Sequence, residues 1–150
     1  MRKMLVTTFA AFIGLAGATA PASAELFSAT RMIIAILADD LFVGEAEGHL
    51  TGAGTLVIHS QKNPALICFG RFTSSAILGG TGQLHCSDGA SAKFHFHRLS
   101  VYRGHGAGSF SRGPMTFAYG LTAGEAGPYL KLPQGKKLAH NGAELELIDL

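Results

Sequence analysis

From Leu41 onward, apolar positions recur at alternate residues in short runs. "LFVGEAEGHL", "GTLVIHS", "ALICFGRF", "GQLHCS", "AKFHFHRLSVY", "GSFS", "MTFAYGL", "YLKL" and "AELELI" are β-branched or aromatic segments. Between them lie "QKNP", "SDG", "SRGP", "AGEAGP", "PQGKK" and "HNG". A period of two sends successive side chains to opposite faces of a strand, and clusters of Gly, Pro, Asn and Asp are where a chain turns. The spacing therefore predicts strands and tight turns, with no long helix. One run departs from alternation: "MIIAILA", ahead of Asp39 and Asp40, is apolar throughout. That pattern suits a buried strand or a short helix; strand is the reading adopted, with Asp39-Asp40 as its turn.

The turns fix an expected register. With Ser87-Asp88-Gly89 as a turn, Cys86 faces Ala90, Leu84 faces Ala92, Gly82 faces Phe94 and Gly80 faces Phe96. With "QKNPA" as the connection, Ile58 faces Cys68, Leu56 faces Gly70 and Gly54 faces Phe72. Pairing Cys68 with Cys86 then brings Phe72 opposite Gly82, so one register serves both hairpins. With "SRGP" as a turn, Phe110 faces Met115, Gly108 faces Phe117 and Gly106 faces Tyr119. Registers two residues away stay open in each case. Gly80, Gly82, Gly106 and Gly108 read as structural glycines, each leaving space for a ring from the adjoining strand. With Gly52 and Gly54 they form three Gly-x-Gly steps, a repeat of hairpins. Asn141-Gly142 signals a two-residue hairpin turn pairing Leu138 with Leu145 and Lys137 with Glu146. The expected fold is all-β: an antiparallel meander of about eight or nine short strands, closing into a small barrel or a sandwich so that its edges are covered.

The first residues change the picture of where this fold works. Arg2 and Lys3 precede a small-residue apolar run ending at Ala22-Ser23-Ala24, the pattern of a cleaved export signal, Met1 to Ala24. Its apolar core is shorter than the roughly 20 residues that span a bilayer, and no later stretch supplies a transmembrane segment. Residues 25–150 then form a single β-rich domain. The chain has 12 Lys plus Arg and 10 Asp plus Glu; losing Arg2 and Lys3 leaves ten of each sign, so no basic field for nucleic acid remains. Cys68 and Cys86 are the only cysteines, and an oxidising compartment predicts one disulfide between them.

"GTGQLHCSDG…KFHF" followed by "GHGAGSF…GPMTFAYG" resembles small exported glycine-rich β-domain proteins of proteobacteria, over roughly Leu41 to Leu121. The resemblance implies placement in the periplasm or outside the cell, and it brings no catalytic residues with it.

Candidate chemistry is sparse. His95 and His97 lie two apart on one strand face with Lys93, while Phe94 and Phe96 point the other way. Two imidazoles so placed bind zinc or copper if a third ligand approaches. His85 is too far along the adjoining strand, leaving His49, His59, His105 or His140. The competing reading is a solvated polar face. Ser87-Asp88-Gly89 is explained by turn chemistry, and no Gly-x-Ser-x-Gly elbow occurs. Glu45/Glu47 and Glu144/Glu146 read as solvent faces of strands, not glycosidase pairs. The Gly-x-Gly steps precede strands, so no helix N-terminus receives a phosphate. Strands shorter than about 9 residues, with Gln83, His85, Lys93, His95 and His97 outward, argue against a membrane pore. The expected function is an exported, non-enzymatic binding or envelope-associated module for a small ligand or protein partner, with no cofactor. The alternatives are periplasmic zinc or copper binding through His95 and His97, and, third, a hydrolase.

Overall fold

The computed structural model describes residues 28–75 and 78–150; the expected export signal falls outside them. Eight antiparallel strands follow one another around a closed barrel: β1 Ser28–Leu37, β2 Asp40–His49, β3 Ala53–Ser60, β4 Ile67–Ser75, β5 Gly79–Cys86, β6 Ser91–Ser100, β7 Arg103–Phe110 and β8 Gly113–Tyr119. β8 closes on β1, with Ile34 opposite Ala118 and Leu37 opposite Met115. Closure removes every free edge, which a meander of this length would otherwise expose. Of the two expected architectures the barrel forms, and "MIIAILA" is a strand.

The meander stops at eight strands. Beyond Tyr119 the chain crosses the outside of the barrel as a short helix, α1 (Ala123–Ala126), a 3-10 turn (Gly127–Tyr129) and a separate hairpin of β9 (Lys136–Asn141) and β10 (Glu144–Asp149). "AGEAGP" is thus helical as well as a turn: Thr122 caps α1 by accepting from the Glu125 N–H, and Glu125 accepts from the Thr122 N–H in return. "YLKL" was expected as a strand and is none, since Leu130 tucks inward from the 3-10 turn to pack on the barrel. Apolar side chains of this cover, among them Leu121, Ala126, Leu130 and Leu145, lie on Ile34, Ile36, Leu41 and Ala118. β1 is therefore buried on both faces, with Ile33, Ala35 and Leu37 inward and Ile34 and Ile36 beneath the cover. That double burial explains an apolar run with no alternation.

The register agrees with the sequence over β3 to β6: Ile58 faces Cys68, Gly54 faces Phe72, Cys68 faces Cys86, Phe72 faces Gly82, Gly82 faces Phe94 and Gly80 faces Phe96. Cys68 and Cys86 are joined in a disulfide. Two hairpins differ by two residues. Around Ser111-Arg112 the turn is tighter than "SRGP", so Phe110 pairs with Gly113, Gly108 with Met115 and Gly106 with Phe117. In the C-terminal hairpin the turn residues are Gly142 and Ala143, and Leu138 faces Leu147. Gly142 has φ +66° at the first turn position, the geometry of a type II′ turn, so Asn141 is left as the last strand residue.

The inward glycines make room for rings in a narrow barrel. A Cβ on Gly54 would lie 2.1 Å from Phe72 Cζ, on Gly82 2.4 Å from Phe94 Cζ, and on Gly106 2.4 Å from Phe117 Cζ. At Gly80, opposite Phe96, and Gly108, opposite Phe94, the nearest obstacles are the backbone of Thr73 and of Lys93, at 1.9 and 2.1 Å, so these glycines also allow close approach of strands.

Candidate ligand-binding site

The barrel has two unlike ends. At the end bearing the β1–β2, β3–β4, β5–β6 and β7–β8 turns, Leu37, Phe42, Ile58, Cys68, Leu84, Phe110 and Met115 fill the interior. Ser60, fully buried there, donates from Oγ to Asp40 Oδ2 at 2.7 Å and accepts from the Asn63 N–H at 3.1 Å. Asp40 belongs to β2 and ties down the β3–β4 connection, so only Asp39 of the acidic pair sits in the turn. Asp88 accepts from the Ala90 N–H and from Arg112, and both hold its carboxyl below the usual carboxylate range.

The opposite end is open. A cavity of about 390 Å³ lies within it, lined at depth by Ile33, Leu56, Phe72, Phe94, Phe96 and Phe117. The rings brace one another edge to face: Phe72 on Phe96 at 5.6 Å, Phe94 on Phe117 at 5.2 Å and Phe96 on Tyr119 at 5.9 Å between centroids. Edge-to-face pairs fix ring positions, so the wall is formed before any ligand arrives. Above it the wall turns polar, with Arg31, His49, Ser74, Arg98, Tyr102 and Tyr119.

Each polar group has a defined setting. Arg98 follows Phe94 and Phe96 in the inward phase of β6, and its guanidinium donates to Ser75 O at 3.0 Å, Val101 O at 2.8 Å and Ser74 Oγ at 2.7 Å. These bonds tie the β4 and β6 ends together at the mouth. Arg31 lies 4.3 Å above the Tyr102 ring and donates to Thr30 O. The ion pairs among the described residues are Arg103–Glu125, Arg112–Asp88 and Lys136–Asp149, so neither Arg31 nor Arg98 has a carboxylate partner there. The Tyr119 hydroxyl is buried with no hydrogen-bond partner. Burial raises its pKa, against the opposing pull of Arg98, so it stays a neutral donor at neutral pH. Around this mouth the loop residues Leu50, Leu78 and Val101 are exposed.

No family model, curated protein or solved structure matches the chain. The site therefore rests on geometry alone.

His95 and His97 stand on the outer wall, away from the cavity, with ring centroids 5.9 Å apart. Opposite His97 on β7 is His105, at 6.0 Å, and its ring stacks on Tyr129 at 4.2 Å. His105 is thus the third ring of a ladder that ends on Tyr129 of the C-terminal cover, and burial, then the neighbouring His97, depress its pKa. Among the described residues no three His, Cys, Asp or Glu side chains gather as a metal-ligand set.

The outer wall exposes Arg71, Gln83, His85, Lys93 and His95, while the interior is apolar. Strand length does not separate this barrel from a membrane one as expected, because β1, β2 and β6 reach 10 residues. These polar groups alternate on the outer wall with exposed Met32, Val57 and Phe69, so the described residues form no continuous apolar band of the kind a lipid-facing barrel carries. No helix among the described residues is long and apolar enough to cross a membrane.

Sequence reasoning missed Arg31, Arg98 and Tyr119. The signal was present as phase: each continues an inward apolar series (Arg31 before Ile33, Arg98 after Phe96, Tyr119 after Phe117) at the same end of the barrel. A charge in an inward position at a strand end marks a mouth.

Proposed function

We propose that the protein is an exported, non-enzymatic binding protein that holds a small, largely apolar molecule in the open half of its barrel. The observation that carries this reading is the cavity itself: one end of the barrel is packed solid, and the other keeps about 390 Å³ walled by braced rings. That volume lies toward the low end of the roughly 300–1,000 Å³ usual for small-molecule pockets. The mouth supports binding over hydrolysis. Ser74, which lines the cavity, donates to Gly52 O and accepts from Arg98, so its hydroxyl is held by a structural cation and not by a base. The disulfide supports an oxidising compartment, in keeping with the expected export signal.

The test is saturable binding of a neutral, polarity-sensitive naphthylamine dye, followed by its fluorescence. Wild type should bind one equivalent, and Ala46→Phe, which fills the cavity from β2, should lose binding while keeping the wild-type melting profile. Absence of saturable binding, or binding untouched by Ala46→Phe in a folded variant, rejects the cavity as the site.

A further inference from the structure

Resting on that reading, we infer that the natural ligand is an anionic amphiphile, its apolar body among the phenylalanines and a single acidic head group at Arg31 and Arg98. Two observations converge on the head group. First, both arginines occupy inward strand positions at the mouth, and among the described residues no Asp or Glu lines the cavity. Two cations sharing a half-enclosed site with no carboxylate among the described residues repel one another, and an anion between them relieves that cost. Secondly, Arg98 spends one N–H from each nitrogen on Ser75, Val101 and Ser74, which holds the guanidinium rigidly and leaves two N–H groups over. A guanidinium fixed in this way loses little freedom on accepting an oxyanion.

The remainder of the cavity sets the body of the ligand. Below the arginines the wall offers Ile33, Leu56, Phe94 and Phe117 and no polar side chain, so a second charge or a sugar would be left unsatisfied. A short alkyl or aryl chain fits that wall. The head group chemistry is shared by carboxylates and by phosphate or sulfate monoesters, and a rigid guanidinium serves each.

Displacement of the naphthylamine dye from the intact protein by decanoate, decyl phosphate, decanol and decyltrimethylammonium separates these cases. We expect decanoate or decyl phosphate, or both, to displace it at concentrations about tenfold or more below decanol, with the cation weakest. The more potent of the two acids identifies the head group. Arg31→Gln, which leaves the Arg98 clamp intact, should reduce the anion's advantage several-fold and leave decanol unchanged; Arg98→Lys, a folded control that keeps the charge but not the fork, should do the same. Equal displacement by decanol and the acids overturns the inference while the binding reading stands. Displacement by none of the four, with dye binding also absent, overturns the reading beneath it.

Discussion

Gly82→Ala places one methyl group against a ring and a backbone carbonyl at once. The new Cβ would lie 2.4 Å from Phe94 Cζ, 2.8 Å from Phe94 Cε2 and 2.5 Å from the Arg71 carbonyl oxygen. The ring cannot simply swing away, because Phe94 is braced edge to face on Phe117 at 5.2 Å, and the carbonyl belongs to β4, whose ladder would have to shift. Overpacking of this kind costs about 1–3 kcal/mol. Against it stands a gain of about 0.4–1 kcal/mol, because alanine has less freedom than glycine to lose on folding. The backbone obstacle puts the cost at the upper end, so the net is roughly 2 kcal/mol, or a fall of about 6–10 °C in Tm for a domain of this size. Gly124→Ala is the matched control. Nothing lies within 4 Å of its Cβ and it sits in α1, so the same substitution should raise stability slightly. Thermal unfolding by circular dichroism reads both. In the double variant Gly82→Ala/Phe94→Leu the two costs should sum to less than their parts by about 0.5 kcal/mol or more, since the shorter side chain withdraws from the methyl. A Gly82→Ala protein with wild-type Tm, or strict additivity with Phe94→Leu, would refute the claim that this glycine exists to seat the ring.

Reduction of the Cys68–Cys86 bridge, which closes a separation of 18 residues, should lower stability by about 3 kcal/mol in the chain-entropy view, measured as the urea midpoint with and without reductant. An unchanged midpoint would mean that the β4–β5 ladder alone constrains the chain. His105 has a folded-state pKa below its ordinary 6.5, first from burial and then from His97, and its ring is stacked on Tyr129. The unfolded chain therefore takes up this proton first: the stability contributed by neutral His105 is present above 6.5 and is lost as pH falls through the lower folded value. Tm should drop as pH falls below about 6.5, and His105→Asn should flatten that part of the profile. Tyr119→Phe removes a buried hydroxyl that has no partner and should raise the Tm of the ligand-free protein, by an equivalent of about 1 kcal/mol. A Tm at or below that of the wild type would mean that the hydroxyl contributes a bond to the folded state.

What the sequence disclosed follows from how local each determinant is. The register from β3 to β6 was legible because Cys68 and Cys86, the glycines and the phenylalanines constrain two neighbouring hairpins at once, and a slip of two residues in either would break the other. β7–β8 and β9–β10 had only one turn each to fix them, and both were misplaced by two residues at Gly113 and Gly142. The turn residues there allow more than one loop, and only packing chooses between them. Closure after eight strands was hidden for a related reason. Ile34 and Ile36 revealed that β1 is covered outside, yet the covering residues, Leu121, Ala126, Leu130 and Leu145, sit in segments whose own pattern shows no common face.

The candidate site was the least legible part, since no segment contains it. Arg31 comes from β1, Ser74 from β4, Arg98 from β6 and Tyr119 from β8, and only barrel closure brings these strand ends around one opening. The histidines drew attention because they are close in sequence, whereas the two arginines that line the mouth are 67 positions apart by their numbering. The difference between the two sets is one of side: His95 and His97 are odd-numbered on β6 and face outward, while Phe94, Phe96 and Arg98 are even-numbered and face in. Alternation had already assigned the rings to the interior, and the same parity assigns Arg98 to it. A guanidinium in phase with two buried phenylalanines has to reach either a carboxylate, an opening or a ligand. Here no carboxylate among the described residues meets it, and the opening lies directly at its strand's end.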